Sequence, residues 1–242
     1  MKSMKGLALS LAVCLLVTLA AAPAQAITIR ELPAVQLKPV VHETALRDLF
    51  GEDGFACPEG FSFGMALDDA VEALPLSDTM RPGNEAFDSR TYVESTENGF
   101  CSLNPFLYYA IEEIDDILQL TLEFDAGHEL FGYWLVSVPV KLEDMSGEER
   151  ETAAARLRLL IGTLSEAAEP LVEKGPDDLG ALDFAYLETG GRLRVFFQTG
   201  GDTFCQVSAN VFQGTFIYNV GIGRTAEWPG GIADIIDGLK QK

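Results

Sequence analysis

The amino-acid sequence predicts an α+β protein with two units, each a helix packed against an antiparallel sheet. Strand-like segments alternate apolar and polar residues, which is typical of a sheet with one buried face. Short turns, several of them rich in glycine, join these segments as in hairpins. The helix-like segments precede groups of strands, without the regular strand–helix alternation of a parallel sheet. This order disfavours a Rossmann or barrel architecture.

The first 26 residues have the pattern of a secretory signal peptide. Lys2 and Lys5 form a positive start, an apolar stretch covers residues 7–22, and small residues flank Gln25. The apolar stretch is shorter than the about 20 residues of a membrane span. The pattern predicts export from a bacterial cytoplasm to the periplasm or the exterior, with cleavage after Ala26.

Domain boundaries follow from these segments. After the signal peptide, 1–26, we expect an extended lead-in with a short helix over 27–54, a first α+β unit over 55–145 and a second over 146–242. Short motifs recur in the same order in both units, which indicates an internal duplication; chance similarity is the alternative. The recurring motifs are Pro75-Leu76, Tyr92-Val93-Glu94-Ser95 and Phe100-Cys101-Ser102-Leu103, matched by Pro170-Leu171, Tyr186-Leu187-Glu188-Thr189 and Phe204-Cys205-Gln206-Val207.

Prolines and apolar spacing set the first elements. Pro33 and Pro39 predict an extended start, and a short helix is predicted over 43–50. A strand is predicted over 61–63 and a helix over 66–74. The apolar residues of that helix follow helical spacing: Leu67, Ala70, Val71 and Leu74.

Four strands are predicted in the rest of the first unit, over 91–96, 105–111, 117–125 and 130–140. The third is the clearest, because its apolar and polar residues alternate without interruption. The fourth follows a turn that contains Gly127. These strands predict a hairpin-connected sheet.

The second unit begins with a capping box, in which Ser146 and Glu149 satisfy free backbone N–H groups at the start of a helix. An apolar face predicts that this helix continues to Leu171 before Gly175 stops it. Four strands are predicted after it, over 182–188, 192–199, 203–207 and 211–220, and a last short helix is predicted over 231–239.

Charge limits the partners of the protein. The chain has 17 basic and 37 acidic side chains, a net charge of −20. This charge disfavours nucleic acids and anionic membrane surfaces, and it permits a basic protein or divalent cations. Solubility is the alternative explanation. No later apolar run is long enough to span a bilayer, so no transmembrane anchor is expected after signal removal.

The cysteines predict one disulfide. Cys14 leaves with the signal peptide, and Cys57, Cys101 and Cys205 remain. In an oxidising compartment three cysteines favour one bond and one free thiol. We expect Cys57–Cys101, because these two are closest along the chain, with Cys205 free; the other pairings stay open. The spacing indicates neither a redox pair nor a zinc site.

The motifs with catalytic potential are weak. Ser62 lies in a G-x-S-x-G pattern, but no core strand precedes it and no parallel sheet is predicted, so a hydrolase nucleophile is disfavoured. His42 and His128 are isolated and predict neither a metal site nor a general base. The acidic segment 112–116 lacks the ligand spacing of a calcium loop and reads as solvated charge. We therefore name no catalytic residue, metal ligand or cofactor.

Aromatic residues are dense around the first sheet. Alternation places Phe131 and Tyr133 on the face opposite Trp134, so one of the two sets is a candidate for exposure. Phe131, Tyr133 and Tyr108 are the expected partner-binding aromatics, since exposed aromatic faces are common protein interfaces. Burial beneath a helix or the second unit is the alternative.

Two segments resemble small bacterial envelope domains of the β-lactamase-inhibitor-like and BamE-like folds. The first is Phe63-Gly64-Met65 followed by Asp69, Val71 and Leu74, and the second is the strand-turn-strand piece over 122–130. The resemblance covers about 25 residues. It implies a non-enzymatic protein that binds another protein, and it carries over no functional residues.

The sequence therefore predicts a secreted or periplasmic binding protein of the bacterial envelope with a protein partner and without catalytic activity. Two alternatives stay open. One is a hydrolase-type enzyme with a dispersed carboxylate site, because such sites are assembled from distant residues. The other is a carrier of a ligand or cation.

Overall fold

The computed structural model describes residues 28–31, 40–51, 54–74, 92–96, 99–105, 107–199 and 201–241. The predicted signal peptide lies outside the described residues. Strands dominate the described part, as follows: β1 Thr28–Glu31, β2 Val40–Thr44, β3 Phe50–Gly51, β4 Gly54–Phe55, β5 Tyr92–Ser95, β6 Cys101–Asn104, β7 Leu107–Ile111, β8 Asp116–Phe124, β9 Leu130–Ser137, β10 Val140–Lys141, β11 Pro170–Lys174, β12 Leu193–Gln198, β13 Thr203–Phe212 and β14 Thr215–Arg224.

Helices are fewer and mostly short. The α-helices of the described residues are α1 Leu67–Glu72, α2 Gly147–Ser165, α3 Phe184–Glu188 and α4 Ile232–Lys240. Short 3-10 turns accompany them at Leu46–Leu49, Glu112–Ile114, Leu142–Asp144 and Leu179–Ala181. None of the helices in the described part of the chain combines the length and apolar character that a bilayer crossing requires.

One sheet of 12 strands joins both halves of the chain. Its main order is β1-β5-β6-β8-β9-β14-β13-β12-β11. The three other strands of the sheet lie off this order. β7 pairs with β8, β10 pairs with β14, and β2 pairs in parallel with β7. The other pairings of this sheet are antiparallel, and β3–β4 form a separate small hairpin. The sheet is therefore mixed.

The prediction of an α+β fold with two helix-plus-antiparallel-sheet units is wrong. β9 of the first half pairs with β14 of the second, in a register that places Trp134 opposite Gly221. This pairing continues the hydrogen bonding from one half into the other, so the protein is dominated by a single mixed sheet. Local alternation predicts strands, but it carries no signal for which distant strands pair.

Four predicted elements also differ in type. The segment predicted as a strand over 61–63 is a loop followed by a turn, which the Met65 amide closes by donating to the Ser62 carbonyl at 3.0 Å. The capping-box helix, α2, ends at Ser165, and Pro170 begins strand β11 instead of continuing the helix, because proline cannot donate a helical hydrogen bond. The segment predicted as a strand over 182–188 contains helix α3, whose N-cap Asp183 accepts a hydrogen bond from the Tyr186 amide. The predicted helix over 43–50 is replaced by the end of β2 and a 3-10 turn.

The inner face of the sheet carries the main core. Helix α2 packs there through Leu157, Leu160 and Leu164, which are fully buried. Its start is fixed by the predicted capping box: the Glu149 amide donates to the Ser146 hydroxyl at 3.2 Å, and the Ser146 amide donates to the Glu149 carboxylate at 2.6 Å. Other parts of this face are covered by helix α3, through Phe184 and Leu187, and by the 3-10 turn at Leu46–Leu49 and the segment 54–74.

The outer face carries a smaller core. Helix α4 packs onto it beside Trp228, through Ile232 and Ile236. The sheet residues beneath belong to strands β9, β12 and β13: Phe131, Phe196 and Phe204. α4 therefore covers the end of the sheet nearest β11, and the outer face next to it carries the polar residues described below.

Candidate binding surface on the outer sheet face

Three glycines lie directly beneath two indole rings on the outer face, and we call this arrangement the indole seat. A Cβ atom on Gly221 would lie 2.4 Å from the Trp134 ring. Cβ atoms on Gly132 and Gly223 would lie 2.1 and 2.5 Å from the Trp228 ring. These distances are shorter than any van der Waals contact, so both rings lie directly on the sheet backbone and only glycine fits beneath them.

The two tryptophans differ in exposure. Their rings meet edge to face, with centroids 5.1 Å apart and planes at 71°. Trp228 is 9% exposed and also contacts Phe131 and Phe204 edge to face. Trp134 is half-buried. Of the two tryptophans, Trp134 is therefore the one through which this cluster reaches the surface.

A ladder of polar side chains crosses the neighbouring strands. Arg194 Nε donates to Gln206 Oε1 at 3.2 Å, and Gln206 Nε2 donates to Ser208 Oγ at 3.4 Å. Ser208 donates in turn to Asn219 Oδ1. Arg194 also pairs with Glu173 on β11, at 2.9 Å. We call these five residues and Trp134 the outer strip.

The outer strip is ordered and still reachable. Alternation places Ser208 and Asn219 on the face opposite the main core, and they are cross-strand partners in β13 and β14. Gln206 is buried, whereas the other members of the outer strip keep intermediate exposure. Because each polar member is held by a neighbour, its rotamer freedom is reduced before any partner arrives.

The aromatics predicted to bind a partner are buried. Tyr108 and Tyr133 are fully buried on the inner side, and Phe131 is 3% exposed. The Tyr133 hydroxyl donates to the Ala56 carbonyl at 2.9 Å. The partner surface expected on these three residues is therefore not present. The alternative, burial, holds for all of them.

A β-bulge explains the misplaced face of Phe131. Leu130 pairs with Phe124 and Gly132 pairs with Glu123, so Phe131 is an extra residue in β9. The bulge lets Phe131 join Trp228 and the outer cluster, on the same side as Trp134, although simple alternation puts it opposite. Tyr133 obeys alternation and faces the main core.

The expected disulfide is not formed. Cys57, Cys101 and Cys205 are all free thiols. Cys57 and Cys205 lie near the Tyr133 phenol below the centre of the sheet, whereas Cys101 lies on β6, which β8 separates from β9. Proximity along the chain therefore does not bring Cys57 and Cys101 together. Neighbouring strands are about 4.8 Å apart, so the three strands between β6 and β13 also separate Cys101 from Cys205.

The buried thiols and phenols stay protonated. Burial raises the pKa of Cys57 from 9.0 to about 12, although the Phe63 amide and Arg224 partly oppose this rise. Burial also raises the pKa of Cys205 and of Tyr133. Because the thiolate is the nucleophilic form, neither thiol is activated at neutral pH.

The remaining polar residues singled out in the sequence are dispersed. Ser62 lies in an exposed loop, and His42 stacks on Tyr109 with ring centroids 5.6 Å apart. In the acidic segment, the Glu113 carboxylate accepts the Leu46 amide at 3.0 Å. Across the described ranges, no three or more His, Cys, Asp or Glu side chains are grouped so that they could hold a metal ion.

Sequence reasoning missed the outer strip. Its members Gln206 and Ser208 occupy alternate positions of β13, a signal of a wet face that the sequence does contain. Comparisons with protein-family models, curated proteins and solved structures find no significant match to this chain. The resemblance to the envelope domains therefore stays a prediction.

Proposed function

We propose that the protein is an exported binding protein that recognises another protein through the outer strip. The observation that carries this proposal is the ordered row of polar side chains beside a half-buried tryptophan. Tryptophan and arginine are the residue types most enriched among the energetically dominant residues of interfaces. Trp134 and Arg194 supply both.

Order within the outer strip favours binding. Immobilising a rotamer-rich side chain at an interface costs about 0.5–1.5 kcal/mol. In the outer strip much of this cost is already met, because Arg194 is held by Gln206 and Glu173. A partner that covers the strip therefore loses less free energy to side-chain ordering than it would on a mobile surface.

Charge favours a basic partner. The chain has a net charge of −20, and removal of the predicted signal peptide makes it more negative, since that segment has two lysines and no acidic residue. A field of this sign accelerates association with a positively charged protein and repels nucleic acids and anionic membranes. We therefore propose that the partner bound at the outer strip is a basic protein of the same compartment.

The proposal is tested by photo-crosslinking. A crosslinking residue at Val136, the cross-strand neighbour of Asn219 in the β9–β14 pair, should capture a discrete partner when the protein is exported in cells. The matched control places the crosslinker at Leu159, which is 48% exposed on α2, in the layer on the inner side of the sheet. The same set of captured proteins from both positions would contradict the proposal.

Binding of the purified partner completes the test. We expect Trp134→Ala to weaken binding by about tenfold or more, and Leu159→Ala to leave it unchanged. Asn219→Ala is a second variant within the outer strip that leaves the indole seat intact. Raising the salt concentration from about 0.05 M to about 0.5 M should weaken binding about tenfold, because opposite charges meet. Unchanged affinity in both strip variants would refute this surface.

Export is tested separately. The protein recovered from the periplasm or medium should begin at Ile27, as shown by amino-terminal sequencing. Recovery of the intact amino terminus in the cytoplasm alone would contradict this part of the proposal.

A further inference from the structure

The hydrogen-bonding groups that the outer strip leaves unused beside Trp134 are donors. Ser208 donates to Asn219 Oδ1, and Arg194 Nε donates to Gln206 Oε1 at 3.2 Å. Both side-chain amide oxygens of the outer strip are therefore already engaged. The Asn219 amide N–H groups and the Trp134 indole N–H have no acceptor among the described residues, and both side chains keep intermediate exposure. A partner that reaches Trp134 therefore meets free donors.

These two donors are neighbours on the outer face of the sheet. Trp134 pairs with Gly221 across β9 and β14, and Asn219 lies two residues before Gly221 on the same face. Diagonal neighbours of this kind are about 7–8 Å apart. One extended segment that crosses the outer strip can therefore contact the indole and the amide N–H groups together.

A proline-rich segment complements this pattern of donors. Proline lacks a backbone N–H, so its backbone offers the carbonyl oxygen as an acceptor and no donor. A polyproline II helix has no internal hydrogen bonds, so its carbonyl groups all remain available to a partner. It repeats every three residues, a distance of about 9 Å, which is similar to the separation of the two donors. Its proline rings pack on exposed aromatic side chains.

A segment of ordinary composition complements the donors less well. Each of its residues adds a backbone N–H, and such groups cannot bond to the N–H groups of Asn219 and Trp134. A donor that is covered by a partner without receiving an acceptor costs free energy. A flexible segment also loses conformational entropy on binding, whereas a polyproline II helix is formed in advance.

We infer that the outer strip binds a proline-rich segment in the polyproline II conformation, flanked by basic residues. This inference rests on the proposed function, since it names the part of the protein partner that contacts the outer strip. Trp134 packs against the proline rings, and the Trp134 and Asn219 N–H groups donate to carbonyl oxygens of the segment. The basic flanks follow from the net charge of −20, which attracts cationic groups.

Two synthetic peptides test the inference without the natural partner. The proline peptide has ten prolines followed by two arginines, and the control peptide replaces the prolines by alternating glycine and serine. Both have blocked termini, so their length and charge are the same. Calorimetry should show that the proline peptide binds with a Kd below about 1 mM and at least about fivefold more tightly than the control peptide. Equal affinities, or no binding of the proline peptide, would overturn the inference.

An isosteric change at Asn219 separates hydrogen bonding from charge. Asn219→Asp keeps an oxygen for Ser208 but replaces the N–H donor by an acceptor, so the affinity for the proline peptide should fall about tenfold. Charge alone predicts the opposite, since an added carboxylate attracts the arginines. Gln213→Glu makes the same change at the exposed turn between β13 and β14 and should not weaken binding. Unchanged or tighter binding by Asn219→Asp would refute the inference.

A second variant tests the indole N–H. Trp134→Phe keeps an aromatic ring but removes this donor, so it should weaken binding of the proline peptide about threefold while the thermal melt stays cooperative. Wild-type affinity in this variant would contradict the role of the indole. If the proline peptide fails to bind while a crosslinker at Val136 still captures a discrete partner, only the proline-rich segment is refuted. The same captured proteins from Val136 and Leu159 would instead refute the proposed function.

Discussion

The Arg156 guanidinium lies 3.2 Å from the Asp116 carboxylate and joins helix α2 to the start of strand β8. The Tyr218 hydroxyl donates to the same carboxylate oxygen. Burial raises the pKa of Tyr218, and the Asp116 charge raises it further, so the phenol remains a donor throughout the physiological range. Helix α2 and strand β14, which are far apart in sequence, are thereby both held by the Asp116 carboxylate.

Arg156→Met should destabilise the fold by about 2 kcal/mol, because it leaves the part-buried Asp116 without its cation and two backbone carbonyls without a donor. Arg47→Met is the control, since the Arg47 side chain is 87% exposed and its change should stay within about 0.5 kcal/mol. Urea unfolding followed by circular dichroism measures both. Equal effects would contradict a structural role for the Arg156 pair.

Gly223→Ala should destabilise the protein by about 2–3 kcal/mol, because its Cβ would lie 2.5 Å from the Trp228 ring. Gly162→Ala is the control of opposite sign. Gly162 lies within α2, nothing lies within 4 Å of an added Cβ, and alanine should stabilise the helix by up to about 1 kcal/mol. Thermal unfolding separates the two. A neutral Gly223→Ala variant would show that the indole seat is not tight.

Stability should decrease as the pH rises above 9. The unfolded chain releases the Cys57 proton near 9.0, while the folded protein holds it to about pH 12. Deprotonation therefore favours the unfolded state between these values, by about 1.4 kcal/mol per pH unit for this group. In Cys57→Ala the decrease in unfolding free energy between pH 9 and about pH 11 should be shallower by that amount. An unchanged slope would show that the thiol titrates normally when folded.

The three cysteines outside the predicted signal peptide, Cys57, Cys101 and Cys205, should all be free thiols. Alkylation of a protein that begins at Ile27, in denaturant and followed by mass spectrometry, should add three groups without prior reduction. Addition of one group would instead reveal a disulfide, as the sequence predicts, without identifying its two cysteines. The native protein should react more slowly than the denatured protein, because Cys101 and Cys205 are buried.

Local signals predicted the elements that depend on local interactions. The capping box of Ser146 and Glu149 starts α2, and uninterrupted alternation marks β8. The end of α2 was not predicted correctly, because apolar residues continue at helical spacing beyond Ser165 although the helix ends there. The pairing of β9 with β14 depends on contacts between residues more than 80 positions apart, and alternation has no information about them.

Only part of the outer strip could be predicted from the sequence. The polar residues at alternate positions of β13 signal a wet face, but the sheet positions of Gln206 and Arg194 become neighbours only through the β12–β13 register. The role of Trp134 depends on Gly221, a partner strand residue whose missing side chain makes room for the ring. A glycine pair such as 221 and 223 indicates a close approach, but does not say by what.

The pairing between β9 and β14 also limits how early the sheet can form during synthesis of the chain. β14 ends at Arg224 and is the last strand along the chain, yet it lies in the middle of the sheet between β9 and β13. A nascent chain therefore carries two partial sheets with open edges until almost all of it has emerged. Truncations that remove β14 should leave edges that associate with other chains, so the carboxy-terminal segment protects the whole protein from aggregation.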